Sequence, residues 1–164
     1  MEVSNEKIQL LGLIIKSLET EFAAIIKSAE SAYQGATHED AVSKSKYETH
    51  GLELSYLAGS QFERARVLKQ QIMSLSNKVF KTFKNSDEIA AEALVTMQAS
   101  ENRKYHYLVY SLGAGLKLDL LGKTIQVISP QSAIGNELIG AFLDDDIFIE
   151  RGNKVEEWKV VAIQ

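Results

Sequence analysis

A chain of 164 residues, 45% of them hydrophobic and with a formal net charge of −4, can bury one sizeable core or divide into two small units of roughly 80 residues each. No apolar run approaches the roughly 20 residues needed to cross a bilayer, and Met1-Glu-Val-Ser-Asn-Glu is too acidic for the basic start of a signal peptide, so a soluble cytoplasmic protein with no membrane role is expected. With no cysteine, disulfides, a thiol nucleophile and thiolate metal sites are excluded, and the acidic balance argues against a free-standing nucleic-acid binder.

In the first third of the chain, Ile8, Leu11, Ile15, Leu18, Phe22, Ile25, Ala29 and Ala32 step by threes and fours, the seam that two helices bury against each other. A first helix is predicted from about Ser4 to Gln34, with Gly35 as its C-terminal stop. Leu54, Leu57, Gln61, Ala65, Leu68, Ile72, Leu75 and Val79 form a second seam with one four-four step. It predicts a helix from about Glu39 to Phe83. The short connection makes the two an antiparallel hairpin, a rod about 45 Å long.

Beyond Asn85 the period shortens to two. "EALVTMQ", "KYHYLVYSL", "KTIQVISP", "DDIFIE" and "EEWKVVAIQ" read as strands separated by turn residues, Gly113-Ala-Gly115 among them. "SAIGNELIGAFL", residues 132–143, has helical spacing and reads as a short helix on the sheet. The fold class is therefore α+β: a helical hairpin over 1–84, then a small, mostly antiparallel sheet domain over 88–164.

Two stretches resemble the Gre family of bacterial transcription elongation factors. His38-Glu39-Asp40-Ala41-Val42-Ser43-Lys44-Ser45-Lys46-Tyr47 lies without a gap over the family's tip motif, approximately H-G-D-L-x-E-N-x-E-Y, and Tyr56 and Gly59 fall at its later positions. "ISPQSAIGNELIG", Ile128 to Gly140, is similar to the family's I-S-x-x-S-P-I-G-x-A-L-I-G. The resemblance spans both predicted domains in order and implies a coiled-coil hairpin followed by an FKBP-like domain. It implies an accessory factor that is not itself an enzyme and acts as a monomer. Its partner is RNA polymerase, whose secondary channel the hairpin enters; the nascent RNA 3′ end lies in that channel. The polymerase contact implied is Ser129, Gln131, Ser132 and Ile134. There is no cofactor of its own, only a Mg²⁺ shared with the polymerase active site.

In cleavage-active members an acidic pair at the tip helps to hold that Mg²⁺. Asp40 matches the first acid, and Ser43 stands where the second, a glutamate, is expected. A serine hydroxyl supplies neither the charge nor the reach that Mg²⁺ favours in a ligand. Glu39 is an additional tip acid, while Lys44 and Lys46 repel a cation and offer contacts to RNA. Weak or absent stimulation of cleavage follows, or the behaviour of a non-cleaving regulator. A plainer reading exists for the same residues: Thr37 and Asp40 have capping-box spacing, and Glu39 and Asp40 complement the positive end of a helix.

Arg64, Arg66 and Lys69 form a basic cluster on the second helix, read as a solvated face or as RNA contacts. His38, His50 and His106 lack metal-ligand spacing. Asp144-Asp145-Asp146 reads as a solvated turn, and Tyr105, Tyr107 and Tyr110 as packing residues. Two other classes of function compete: a peptidyl-prolyl isomerase suggested by the FKBP-like half, and a coiled-coil adaptor unrelated to transcription.

Overall fold

The computed structural model describes residues 5–37, 45–99, 102–152 and 154–164. Two long helices, α1 (Asn5–Thr37) and α2 (Ser45–Ser76), are followed by strands β1 (Leu94–Ala99), β2 (Lys104–Val109), β3 (Lys117–Leu120) and β4 (Lys123–Ile128), helix α3 (Ala133–Leu138), and strands β5 (Asp146–Arg151) and β6 (Lys154–Ile163). The α+β class is as expected. Contacts group the chain into two compact units: the start of the chain up to Ile14 together with Lys78–Gln164, and Ile15–Asn77. The grouping cuts across the chain-order division expected at 84–88, because the first turns of α1 pack with the sheet.

The Ile15–Asn77 unit is a hairpin. Leu18, Ile25, Ala29 and Ala32 of α1 and Ala58, Ala65, Leu68 and Leu75 of α2 are buried. Glu21 pairs with Arg64 at 2.6 Å, and Gly35 lies against Leu54. As the α1 partner moves up the chain the α2 partner moves down it, so the helices run antiparallel. At about 1.5 Å per residue the 32 residues of α2 span about 48 Å.

Three details differ from expectation. On α2, Ala58 is buried and Leu57 is exposed; with Leu54, Gln61 and Ile72 half-buried, the seam alternates fours and threes without the four-four step. Gly35 does not stop α1, which runs on to Thr37. A Cβ at 35 would come within 3.1 Å of Leu54 Cδ1, so the bare glycine gives that leucine room. Thr37 also lies within α1 rather than ahead of the next helix, and its hydroxyl donates back to the carbonyls of Tyr33 at 3.0 Å and Gln34 at 3.3 Å.

In the other unit, α1 turns a different stripe inward. Lys7, Leu10 and Ile14 are fully buried while Ile8 is exposed, one residue out of phase with the expected Ile8-Leu11-Ile15. α2 also ends at Ser76 rather than near Phe83. Past it, Phe80 is buried and meets Tyr110 edge-on at 4.9 Å. The Lys81 N–H donates to Glu92 Oε2 at 2.8 Å, and the Lys81 carbonyl accepts from Lys7 Nζ. Side chains of the sheet unit thus satisfy backbone groups that a longer helix would pair internally.

The sheet has the order β3-β4-β2-β1-β6-β5. Every neighbouring pair is antiparallel except β2 and β4, where His106 stands beside Ile125 and Val109 beside Ile128. Strand β3 was not expected. It is only four residues long and hidden behind the Gly113-Ala-Gly115 turn, whose glycines both have positive φ.

One sheet face carries Val95, Met97, Tyr107, Val109, Ile128, Trp158 and Val160 in a single apolar cluster that also takes in Leu138 of α3. By strand alternation Leu108, Ile125 and Val127, also buried, point to the other face. There Ile14 lies 3.0 Å from where a Cβ on Gly113 would be, and Glu6 reaches Lys123 at 3.5 Å. Covering both faces explains why consecutive residues are buried at Leu94–Val95 of β1, Tyr107–Val109 of β2 and Val127–Ile128 of β4.

Candidate docking loop and hairpin surface

Ile128 ends β4, and the chain then folds tightly through 129–132 into α3. The Ser129 carbonyl accepts from the Ser132 backbone N–H at 3.0 Å and from its hydroxyl at 2.7 Å. The same hydroxyl oxygen accepts from the Gly135 N–H at 3.1 Å. Ser132 is thus an N-cap with extended backbone, satisfying one of the orphan donors of the helix. Ser129 Oγ donates to Gln131 Oε1 at 2.6 Å and receives the Gln131 N–H at 3.2 Å. At 135 only glycine fits, since a Cβ would collide with the Ser129 carbonyl oxygen and lie 2.9 Å from that of Pro130.

The structure brings Ser129, Gln131, Ser132 and Ile134 together, but in different roles. Gln131 is exposed, and the other three are half-buried. Ile134 packs against the apolar cluster, and the Ser132 hydroxyl is engaged in capping. The outward-facing residues of this segment are Gln131, Ala133, Asn136 and Glu137. Beside them lies a groove of about 320 Å³ whose lining includes Ile134, Asn136, Glu137, Phe148 and Val155. Phe148 and Val155 are more than half exposed. Their part in this surface was not anticipated, since strand alternation alone does not say which strand ends beside a helix.

On the hairpin, the expected tip acids Glu39 and Asp40, with Ser43 and Lys44, lie outside the described residues, as does the side chain of Lys46. His38 and the side chain of His50 do too. Arg64 and Arg66 are described, and both are paired: Arg64 with Glu21 across the helices at 2.6 Å, Arg66 with Glu63 through two bonds of 2.6 and 2.9 Å. Bonding to Arg66 holds the Glu63 carboxyl below its ordinary range.

The sheet unit holds a buried charged cluster that periodicity could not signal. Lys7, 1% exposed, donates to the Lys81 carbonyl at 2.5 Å and sits 4.7 Å from the Phe83 ring centroid, a cation–π distance. Loss of water around it lowers its pKa to about 8, against the raising influence of Glu92. Glu92, at positive φ, also pairs with Lys78 at 2.5 Å. Hydrogen bonding to Glu92 raises the Lys78 pKa.

Tyr107 is buried, Tyr105 stacks on Trp158 with ring centroids 4.2 Å apart, and Tyr110 meets Phe80, in keeping with packing roles. Asp144 to Asp146 are exposed and form a turn in which Asp145 accepts the Phe142 N–H at 2.8 Å. Among the described residues no group of acids and histidines could hold a metal ion, and no helix is long and apolar enough to cross a membrane.

No protein-family model matches the chain, and no curated protein matches it. Among solved structures it is similar to GreA factor homolog 1 (Gfh1) of Thermus thermophilus, at 20% identity over 92% of this chain and 94% of that one, with a TM-score of 0.40. Gfh1 of Thermus aquaticus is similar at 20% identity over 93% and 92%, TM-score 0.41. The transcription elongation factor GreA/GreB from Nitrosomonas europaea is similar at 15% identity over 58% and 77%, TM-score 0.38.

Proposed function

We propose that this protein is an accessory factor of RNA polymerase. It docks through the 129–137 segment and reaches the secondary channel with the hairpin, and it stimulates transcript cleavage weakly or not at all. The observation that carries this reading is the 128–140 segment. The positions at which it resembles the Gre motif include Ser132 and Gly135, and these set the shape of the loop. A loop so constrained holds Gln131 and the outer face of α3 in one orientation, as a docking element requires. The antiparallel hairpin supports the same reading, since its seam is buried and its length suits insertion into a channel. The tip supports the cleavage-poor form of the function: Ser43 replaces a carboxylate, and Lys44 and Lys46 add positive charge where a Mg²⁺ would have to bind.

The test is recovery of RNA polymerase from extract by the tagged full chain. Gln131→Ala combined with Glu137→Lys alters the outer face without touching the core or the cap, and is expected to reduce recovery at least tenfold. Because Ile134 packs on the core, Ile134→Asp would confound docking with folding. Undiminished recovery by the double variant overturns this docking surface. Recovery of no polymerase subunit by the natural protein overturns the function.

A further inference from the structure

Strand β5 is one edge of the sheet and pairs only with β6. Its register and one bond, from the Val160 N–H to the Asp145 carbonyl at 2.9 Å, fix which of its backbone groups are used. Alternation from that bond turns the N–H and C=O groups of 147 and 149 toward β6, and those of Asp146, Phe148 and Glu150 away from it, to the open edge. The side chains of the same three residues share the sheet face opposite Ile147 and Ile149, which belong to the apolar cluster. All three are exposed. The edge carries neither a proline nor a bulge, two of the devices that blunt a free edge. The groove of about 320 Å³ follows it: Phe148, Ile149 and Glu150 line that space together. Consecutive residues of a strand face opposite sides, so a space that touches all three wraps around the strand's edge. Its far wall is α3, with Asn136 and Glu137, and Val155, opposite Glu150 on β6, adds apolar surface.

We propose that this edge takes up an extended basic segment of another protein as a further strand, lying between β5 and α3, with an apolar side chain on Phe148 and cations opposite Asp146 and Glu150. Strand addition needs free main-chain groups and places for alternate side chains, and the edge offers both. Residues directly opposite each other share a face, so the pattern recognised is cation, any residue, apolar, any residue, cation. Charge selects this occupant. Glu137 on the groove wall and Glu157, opposite Phe148 on β6, add two acids, while Lys159 stands opposite Asp146 and offsets it, which makes the Glu150 end the stronger. The same charges disfavour a second copy of this chain. Antiparallel self-pairing centred on Phe148 sets Asp146 of one copy opposite Glu150 of the other, and like charges directly opposite destabilise a sheet. The groove borders the 129–137 segment, but the inference rests on β5 and needs no polymerase.

The experiment is an NMR titration of the full chain with a capped heptapeptide, Thr-Lys-Thr-Val-Thr-Lys-Thr, following the backbone amides of 133–137 and 146–150. A Kd below about 1 mM is expected. Hydrogen exchange should slow at the amides of 146, 148 and 150 and stay unchanged at 147 and 149, which β6 already engages. Two N-methylated peptides, each blocked at one alternate set of amides, separate a ladder from a contact between charges. Methylation of the set that faces β5 is expected to abolish binding, and methylation of the other set to leave it. Glu150→Lys and Phe148→Thr are each expected to weaken binding about fivefold without changing the melting temperature, since both side chains are exposed. The peptide with glutamate in place of lysine is expected not to bind. Equal binding of the two N-methylated forms, binding of the acidic peptide as tight as that of the basic one, or no binding up to about 5 mM overturns the proposal. Self-association of the free protein that protects the amides of 146, 148 and 150 also overturns it, in favour of a second copy. None of these outcomes bears on recovery of polymerase by the variant altered at Gln131 and Glu137, so the two readings fail separately.

Discussion

The carbonyl oxygen of Ser129 occupies the space that a side chain on residue 135 would need. This is a backbone-to-backbone approach, so no rotamer change can relieve it. Gly135→Ala is expected to destabilise the sheet unit by about 1–3 kcal/mol, the range for a forced backbone shift in a packed region. Urea denaturation monitored by the single Trp158 reads it directly. A change under about 0.5 kcal/mol would mean that the loop yields freely and is no rigid docking element.

Gly35 behaves differently, since its close neighbour is the end of a flexible side chain, Leu54 Cδ1. Within a continuous helix Gly→Ala gains about 1 kcal/mol of helix propensity, less the cost of shifting Leu54. Gly35→Ala is therefore expected to leave hairpin stability unchanged or to raise it by up to about 1 kcal/mol. A helix-terminating glycine with positive φ would give a loss of similar size instead, so circular dichroism during thermal unfolding separates the two.

Lys7 gives the sheet unit a pH dependence of defined sign. Its folded pKa of about 8 is below the unfolded value of 10.5, so between these values the unfolded chain holds more of the proton and stability rises with pH. The rise from this group is at most about 3 kcal/mol, at about 1.4 kcal/mol per pH unit. Below pH 8 the full cost of the buried charge is present. Lys7→Met is expected to remove the rise, which the difference between natural and variant unfolding free energies at pH 7.5 and pH 10 isolates from other titrations. Parallel pH profiles for the two proteins would show that Lys7 is solvated in solution.

At the tip, Ser43→Glu places a second carboxylate three residues from Asp40, at a spacing that shares one helical face. It is expected to raise RNA cleavage in stalled elongation complexes, and Asp40→Asn in that background to abolish the gain. Natural protein that cleaves as well as Ser43→Glu and is indifferent to Asp40→Asn would leave Asp40 without a part in cleavage.

The Arg64–Glu21 pair joins the two helices at the surface, with both side chains well exposed. Exposed pairs contribute at most about 1 kcal/mol and weaken with salt. A double-mutant cycle with Arg64→Ala and Glu21→Ala is expected to give a coupling below that figure, vanishing in 1 M salt. Coupling that survives high salt would show the pair to be more than a surface contact.

The amino-acid sequence by itself determined the α+β class, the hairpin and the short helix near 133, because each rests on local periodicity. The three-four spacing of Leu18, Ile25, Ala29 and Ala32 needs only a helix and a facing apolar surface, and two-residue alternation needs only a sheet. The 128–140 motif was legible for the same reason: the Ser132 cap and the glycine at 135 are contacts within seven residues. What tertiary structure decided is whatever depends on a distant neighbour. Local pattern ranks Ile8 above Lys7 as a core residue, yet the sheet, the Lys81 carbonyl and the Phe83 ring surround Lys7 and leave Ile8 outside. Ala58 is buried where Leu57 is exposed, an order that hydrophobicity alone would reverse. α2 ends at Ser76 because partners from 74 to 11 residues away in sequence take up the Lys81 backbone groups. Lys104 and Lys123 come to one end of the sheet only because β2 and β4 pair in parallel. No spacing along the chain encodes that pairing, since it is chosen by the packing of the whole unit.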